Sequence, residues 1–264
     1  TMTIYFIALA AILLVAGLAW VASVIVGKVC FVDSLWSLFF LLAATVFAVS
    51  VDELSARAVL VLVLVAAWSV RLSLHITVRN WGEPEDHRYE AIRANNEPGF
   101  VVKSLYIVFG LQGVLAWVVA APLAPTMFST SGPGVIDAVA LALFLVGFVF
   151  ESVGDWQLTR FRSNPDNKGR VLNTGLWQYT RHPNYFGEFC IWWAFWLFAV
   201  AAGAWWTIFS PLLMSFLLLR VSGVAMLERT VVERRPAYAE YIRNTNAFFP
   251  GLGKRAHSKE LDLS

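Results

Sequence analysis

Seven continuously apolar stretches run along the chain, at approximately 3–27, 34–51, 56–78, 101–121, 135–155, 185–202 and 204–224, separated by polar or glycine- and proline-bearing breaks. Each has roughly the 17–25 residues that a helix needs to cross a hydrocarbon core of about 30 Å. None alternates with the period of two that a membrane β-strand would carry over about ten residues. The pattern therefore predicts an all-α integral membrane protein of seven transmembrane helices. The first stretch has no basic n-region and is too long for a signal-peptide core, which predicts a retained helix. No internal repeat is visible. The organisation expected is one seven-helix domain over 1–253 and a disordered polar tail, "KRAHSKELDLS", at 254–264.

Composition agrees with the pattern. A chain that is 58% hydrophobic, 15% aromatic and 14% charged lies outside the range of soluble globular proteins. The formal net charge of +2 matters less than where the cations fall. They gather after the third stretch (Arg71, Arg79, Arg88, Arg93, Lys103), after the fifth (Arg160, Arg162, Lys168, Arg170, Arg181) and after the seventh (Arg220, Arg229, Arg234, Arg235), whereas "PLAPTMFSTSGPG" and "AAGAWW" carry none. The positive-inside rule then predicts an outer N-terminus and a cytosolic C-terminus. Cations gathered on one side suit either anionic lipid or a phosphorylated ligand. Cys30 and Cys190 have neither metal nor disulfide spacing. No zinc motif, nucleophile elbow, P-loop or G-x-G-x-x-G fingerprint is present, so neither a metal nor nucleic acid is expected, and any dinucleotide would be held without a Rossmann fold.

Against this apolar background the acids stand out. A carboxylate near the bilayer centre costs about 2.5–3.5 kcal/mol on insertion scales, so each calls for a partner or a purpose. Asp33, Glu151, Asp155 and Glu188 are such acids. Glu151, Asp155 and Arg162 share one stripe if the fifth helix continues past its cytosolic end. Interhelical hydrogen bonds tied off by Arg162 would explain that stripe without a ligand. Trp68, Arg71, His75 and Arg79 line one face of the third helix, although Arg71 and Arg79 could also snorkel to the interface.

The densest chemistry is "TRHPNYFGE", residues 180–188. Pro183 suits a first helical turn, because its missing N–H would be unpaired there in any case. The sixth helix is expected to start at this point, and its free N–H groups and positive dipole end would favour an anion. Asn184 and Glu188 lie one turn apart on one face, suited to an uncharged ring bearing an amide or hydroxyls. Arg181, His182 and the loop residue Arg170 suit phosphates. An interfacial anchor accounts for Trp177, Tyr179 and Arg181, but not for Glu188. After the seventh stretch, "VVERRPAYAEYIRNTNAFFP" predicts a short amphipathic helix begun at Pro236, with Tyr238, Tyr241 and Ile242 on one face. The loop "NWGEPEDHRYEAIRANNEPGF" could bring Arg88 or Arg93 to a ligand, and neither is assigned.

"GLWQYTRHPNYFGE" resembles the signature of the steroid 5α-reductase family and of the related membrane sterol C14- and C7-reductases. The similarity extends less densely over roughly 145–250, through Gly154–Asp155 and the spacing of "YAEYIRNTNAFFP". It implies a bacterial, multi-pass protein of the cytoplasmic membrane that reduces a carbon–carbon double bond with NADPH. Matched by position, the cofactor contacts implied are Glu151, Asp155, Arg162, Arg170, Tyr179, Arg181, His182, Asn184, Glu188 and Arg220. Where animal steroid reductases hold the substrate ketone with a glutamate on helix two and a tyrosine on helix three, this chain has Asp33 and Trp68, with Arg71 following. The resemblance implies hydride delivery to the β-carbon of an enone in a hydrophobic substrate that enters from lipid, while a protein acid stabilises the enolate oxygen. Isoprenylcysteine- and phospholipid-type methyltransferases that use S-adenosylmethionine share an R-H-P-x-Y-x-G pattern and form the alternative. The arginines favour NADPH over that phosphate-free donor. A noncatalytic transporter or lipid scaffold would leave Glu188 and the R-H-P-N start unexplained.

Overall fold

The computed structural model describes residues 2–221 and 237–251. The expected tail at 254–264, together with Arg229, Arg234, Arg235 and Pro236, lies outside the described residues. The described residues contain helices and no strand. In chain order the helices are α1 (Met2–Val26), α2 (Val32–Ala48), α3 (Ala56–Asn80), α4 (His87–Asn96), α5 (Phe100–Val119), α6 (Leu123–Phe128), α7 (Val135–Ser163), α8 (Pro183–Ala201), α9 (Trp205–Val221) and α10 (Ala237–Asn244). Each of the seven apolar stretches coincides with a helix. Four of them, α1, α3, α5 and α7, are long and apolar enough to cross a membrane, while α2 and α9 are apolar but shorter.

Local chemistry sets the boundaries. Gly27, at φ 78°, takes the left-handed conformation that ends α1. The Ser55 side chain accepts the Ala58 N–H at 3.2 Å to start α3, and Asp86 accepts the Arg88 N–H at 2.9 Å to start α4. Two departures from the sequence pattern are π-helical turns, at Leu105–Gly110 within α5 and at Leu217–Val221 closing α9. The stretch expected to end near 155 continues as α7 to Ser163, so Glu151, Asp155 and Arg162 do belong to one helix. The amphipathic helix expected from Pro236 is α10.

The helices pack as two compact units. The first comprises the described residues up to Asp137 with Trp196–Ser210. Here α2 packs against both α1 and α3, and the fully buried side chains include Ile12, Phe39, Phe40, Phe47, Trp68, Phe109 and Leu123. Polar ties inside this core are few and specific. Tyr5 donates to the Trp117 carbonyl at 2.9 Å, and the Trp117 indole donates back to the Tyr5 carbonyl at 2.8 Å. The Ser37 hydroxyl donates to the Ser69 carbonyl at 2.8 Å, which fixes the register of α2 on α3. Arg57, in the first turn of α3, forms a buried ion pair at 2.6 Å with Asp137, in the first turn of α7.

The second unit comprises Ala138–Phe195 and the described residues from Pro211 onward. Its centre is the crossing of α7 and α8, whose backbones touch at glycines. A Cβ on Gly187 would stand 2.5 Å from the Gly147 carbonyl oxygen and from the Glu151 nitrogen, which no side chain tolerates. The small residues thus let two helices approach to backbone contact. Phe144, Phe195, Trp192 and Ile191 close the apolar part of this unit.

Candidate functional site

The approach of α7 to α8 brings the acidic stripe against the R-H-P-N start. Asn184 Nδ2 donates to Asp155 Oδ1 at 3.1 Å, and Asn184 Oδ1 accepts the Tyr185 N–H at 3.1 Å. Gly154 leaves room for this contact, since a Cβ there would meet the Asn184 nitrogen at 3.2 Å. The His182 imidazole stacks on the Tyr185 ring at 5.6 Å with planes 11° apart. Glu151, Asp155, Arg181 and His182 are 2%, 6%, 7% and 4% exposed, so four ionisable side chains are buried around one helix start. Buried charge is retained only where it is paired or used. Glu188, one turn into α8, is half-buried, and Arg162, Arg170 and Arg220 are exposed. None of Glu151, Asp155, Arg162, Arg170, His182 and Glu188 is without an interaction partner.

The segment 237–251 is bound to the same start. Arg181 Nη1 donates to the carbonyls of Ile242 at 3.0 Å and Thr245 at 2.6 Å, and the Arg181 N–H donates to the Asn246 carbonyl at 2.9 Å. Thr180 Oγ1 donates to the Phe248 carbonyl at 2.7 Å, the Gly251 N–H donates to the Tyr179 carbonyl at 3.0 Å, and the Tyr241 hydroxyl donates to the Trp177 carbonyl. Phe248 and Phe249 pack edge-on against Phe186 and Phe189. The sequence reading gave Arg181 to phosphate, yet one arm of its guanidinium is committed to helix-end carbonyls. Tyr179 contributes through its backbone to this contact.

In the first unit a second polar cluster forms around Asp33, in the first turn of α2. Asp33 Oδ2 accepts from Arg88 Nη2 at 2.8 Å, and Asp33 Oδ1 accepts from the Tyr89 hydroxyl. Tyr89 Oη in turn accepts from Gln112 Nε2 at 3.1 Å. Burial, the Asp33 charge and the hydrogen bond to Asp33 together raise the Tyr89 pKa far above the usual phenol range, against a smaller lowering by Gln112. Burial alone would raise Asp86 as well, but hydrogen bonds from Arg88 outweigh it and hold the Asp86 carboxyl below its usual range. Trp68 is fully buried, with its ring 5.7 Å from that of Phe40, and Arg71 is half-buried one turn further along α3. The Ser37–Ser69 register therefore leaves Trp68 about one helical turn, roughly 5 Å, deeper than Asp33.

Sequence reasoning missed Tyr89 and Gln112 and left Arg88 and Arg93 unassigned. Arg88 serves Asp33 and Asp86, and Arg93 lies 4.5 Å over the Phe100 ring and 3.6 Å from Glu85. The readable signal was "EDHRY", a helix cap followed by a cation and a phenol. The first unit also carries an open surface depression of about 410 Å³ lined by Cys30, Glu83, Glu85, Asp86, His87 and Glu90 among others. Both oxygens of Glu85 there accept backbone N–H groups, of Val29 and Cys30, at 2.9 Å. Among the described residues no group of three or more His, Cys, Asp or Glu side chains could hold a metal ion.

A family model described as a protein of unknown function, DUF1295, matches residues 19–245. An uncharacterized protein of Schizosaccharomyces pombe is 27% identical over 274 residues, an alignment spanning 90% of this chain and 77% of that protein. No solved structure matches the chain.

Proposed function

The chain belongs to the DUF1295 family, and for its activity we propose a membrane-embedded, NADPH-dependent reduction of a carbon–carbon double bond conjugated to a ketone in a hydrophobic substrate, of the 3-oxo-Δ4-steroid type. The observation that carries this reading is the hydrogen-bonded Asn184–Asp155 pair, set beside buried Glu151 and His182 at a proline-started helix end. An amide and carboxylates at that depth match an uncharged, amide-bearing ring. The exposed Arg162, Arg170 and Arg220 match phosphates. The residue types are those a nicotinamide dinucleotide would need at its two ends. The reading also takes the seven apolar helices as seven spans, with the N-terminus outside and the arginine-rich ends in the cytosol.

When bound, NADPH supplies the hydride that adds to the β-carbon of the enone. The electron pair of the double bond would then move to the carbonyl oxygen, where a protein hydrogen-bond donor stabilises the charge. Asp33 is ion-paired with Arg88, so it serves as an anchor, and the Tyr89 phenol, whose O–H rests on Asp33 Oδ1, acts as the hydrogen-bond donor by turning that O–H to the substrate oxygen. Gln112 holds the Tyr89 oxygen at 3.1 Å. The α-carbon would take its proton last, from solvent, so that one hydride and one proton are added in all. Trp68 and Arg71 would flank the substrate, as the matched positions of the steroid reductases imply.

The test is binding of NADPH and of S-adenosylmethionine side by side to the protein purified in mild detergent, followed by NADPH oxidation with testosterone or progesterone. Asn184→Ala and Glu188→Ala are expected to weaken NADPH binding by about tenfold or more, equivalent to about 1.4 kcal/mol. Asp33→Asn is expected to leave binding intact and slow turnover. Binding of S-adenosylmethionine alone would overturn the reading in favour of methyl transfer.

A further inference from the structure

Residues 237–251 make most of their hydrogen bonds to residues 177–181 through their own main chain, beside the Tyr241 hydroxyl and the Phe248 and Phe249 rings. The carbonyls of Ile242, Thr245, Asn246 and Phe248 and the N–H of Gly251 are all used, while the opposing groups come from Tyr179, Thr180 and Arg181. Ile242 and Thr245 stand at the end of α10, where carbonyls lack helical partners and the dipole is negative. The Arg181 guanidinium, buried among them, caps that helix end. Thr180 reinforces the arrangement, because its hydroxyl also accepts the His182 N–H at 3.3 Å. The same three-residue turn therefore orders both the strap and the first residues of α8.

We infer that Arg181 is a positioning residue, and that its work is to hold the strap 237–251 against the α8 start in the register that aligns His182 and Asn184. It is not a ligand for a phosphate. The consequence for ligand affinity rests on the nucleotide reading above, whereas the strap contact itself does not. Main-chain recognition makes the strap tolerant of its own sequence, apart from the buried Tyr241 and Phe248. A lysine ammonium can donate to two carbonyls at once, but it cannot replace a bidentate guanidinium on a phosphate. Arg181→Lys therefore separates the two roles.

The experiment is hydrogen exchange of the amides in 241–251, without ligand, in the wild type, Arg181→Ala and Arg181→Lys, followed by the salt dependence of NADPH binding in each. Arg181→Ala is expected to lose about tenfold or more of the protection in this segment, and Arg181→Lys to restore most of it. NADPH affinity is expected to fall in Arg181→Ala and recover in Arg181→Lys, with the slope of affinity against salt unchanged in both. Unaltered protection in Arg181→Ala overturns the inference, as does a shallower salt slope in Arg181→Ala, whether or not lysine restores it. Should Arg181→Ala not fold, Arg181→Met, which keeps the alkyl stem and removes the guanidinium donors, takes its place, and a strap that stays fully protected there overturns the inference as well. If the wild type binds no NADPH, the nucleotide reading falls, and the exchange comparison alone still decides the role of Arg181.

Discussion

Arg57 is a charge that its apolar surroundings tolerate because all five of its N–H donors are used. Nε and Nη2 grip the two oxygens of Asp137 at 2.6 and 2.9 Å, Nη1 donates to the hydroxyls of Ser129 and Ser131, and Nη2 also reaches the Gly132 carbonyl. Asp137 further accepts the Gly134 N–H at 2.7 Å. Removing either partner leaves the other buried and unanswered. Arg57→Ala or Asp137→Ala is therefore expected to destabilise by about 3–5 kcal/mol, and the double variant by less than the sum of the two. Thermal unfolding of the four proteins in detergent checks this, and equal, additive losses would contradict it. The sequence contains both residues in plain view but not their pairing, because the two are 80 positions apart and each looks like an ordinary interfacial charge. Tyr89 was hidden for the same reason, since the Asp33 it meets lies 56 positions away. Asn184 and Asp155 were legible because helical spacing and a proline-defined start place each on a face without knowledge of its partner.

At the scale of elements, hydropathy found every long helix and missed what happens inside them. The π-helical turn in α5 is a case in point. It ends at Gly110, where a Cβ would stand 3.1 Å from the Leu105 carbonyl oxygen, and nothing in an apolar run announces a five-residue turn. The crossing of α7 with α8 is likewise invisible to periodicity, although the glycines that allow it are printed in the chain. Because the atoms facing Gly187 are backbone on both sides, an added methyl can be accommodated only by parting the helices. Gly187→Ala is expected to destabilise by about 1–3 kcal/mol or more and to pull Asn184 away from Asp155, lowering ligand affinity at the α8 start. Gly17→Ala, in open space on α1, is expected to be neutral or to stabilise by up to about 1 kcal/mol through helix propensity. Similar melting temperatures for the two alanine variants would show that the glycine crossing is not a tight constraint.

At the scale of the whole molecule, the distribution of charge has a geometric reading that the sequence alone left incomplete. Lys and Arg fall at the ends of α3, α7 and α9, in the α4 segment and in the loop before α8, while the segment 129–134 between α6 and α7 carries none. Arg57 is an exception in position, standing at the opposite end of α3 from Arg79, but Asp137 neutralises it, so it adds no net charge to that face. The asymmetry that orients a membrane protein is thus sharper than a count of cations suggests. The proposed orientation predicts an outward position for 129–134 and a cytosolic one for 164–170. Thr130→Cys and Lys168→Cys test them, since both native residues are exposed and both native cysteines are buried. A membrane-impermeant maleimide is expected to label Thr130→Cys in intact cells or spheroplasts, and Lys168→Cys only after permeabilisation. The reverse pattern would place the arginine-rich ends outside, away from cytosolic NADPH, and the reductase reading would lose its cofactor supply along with its orientation.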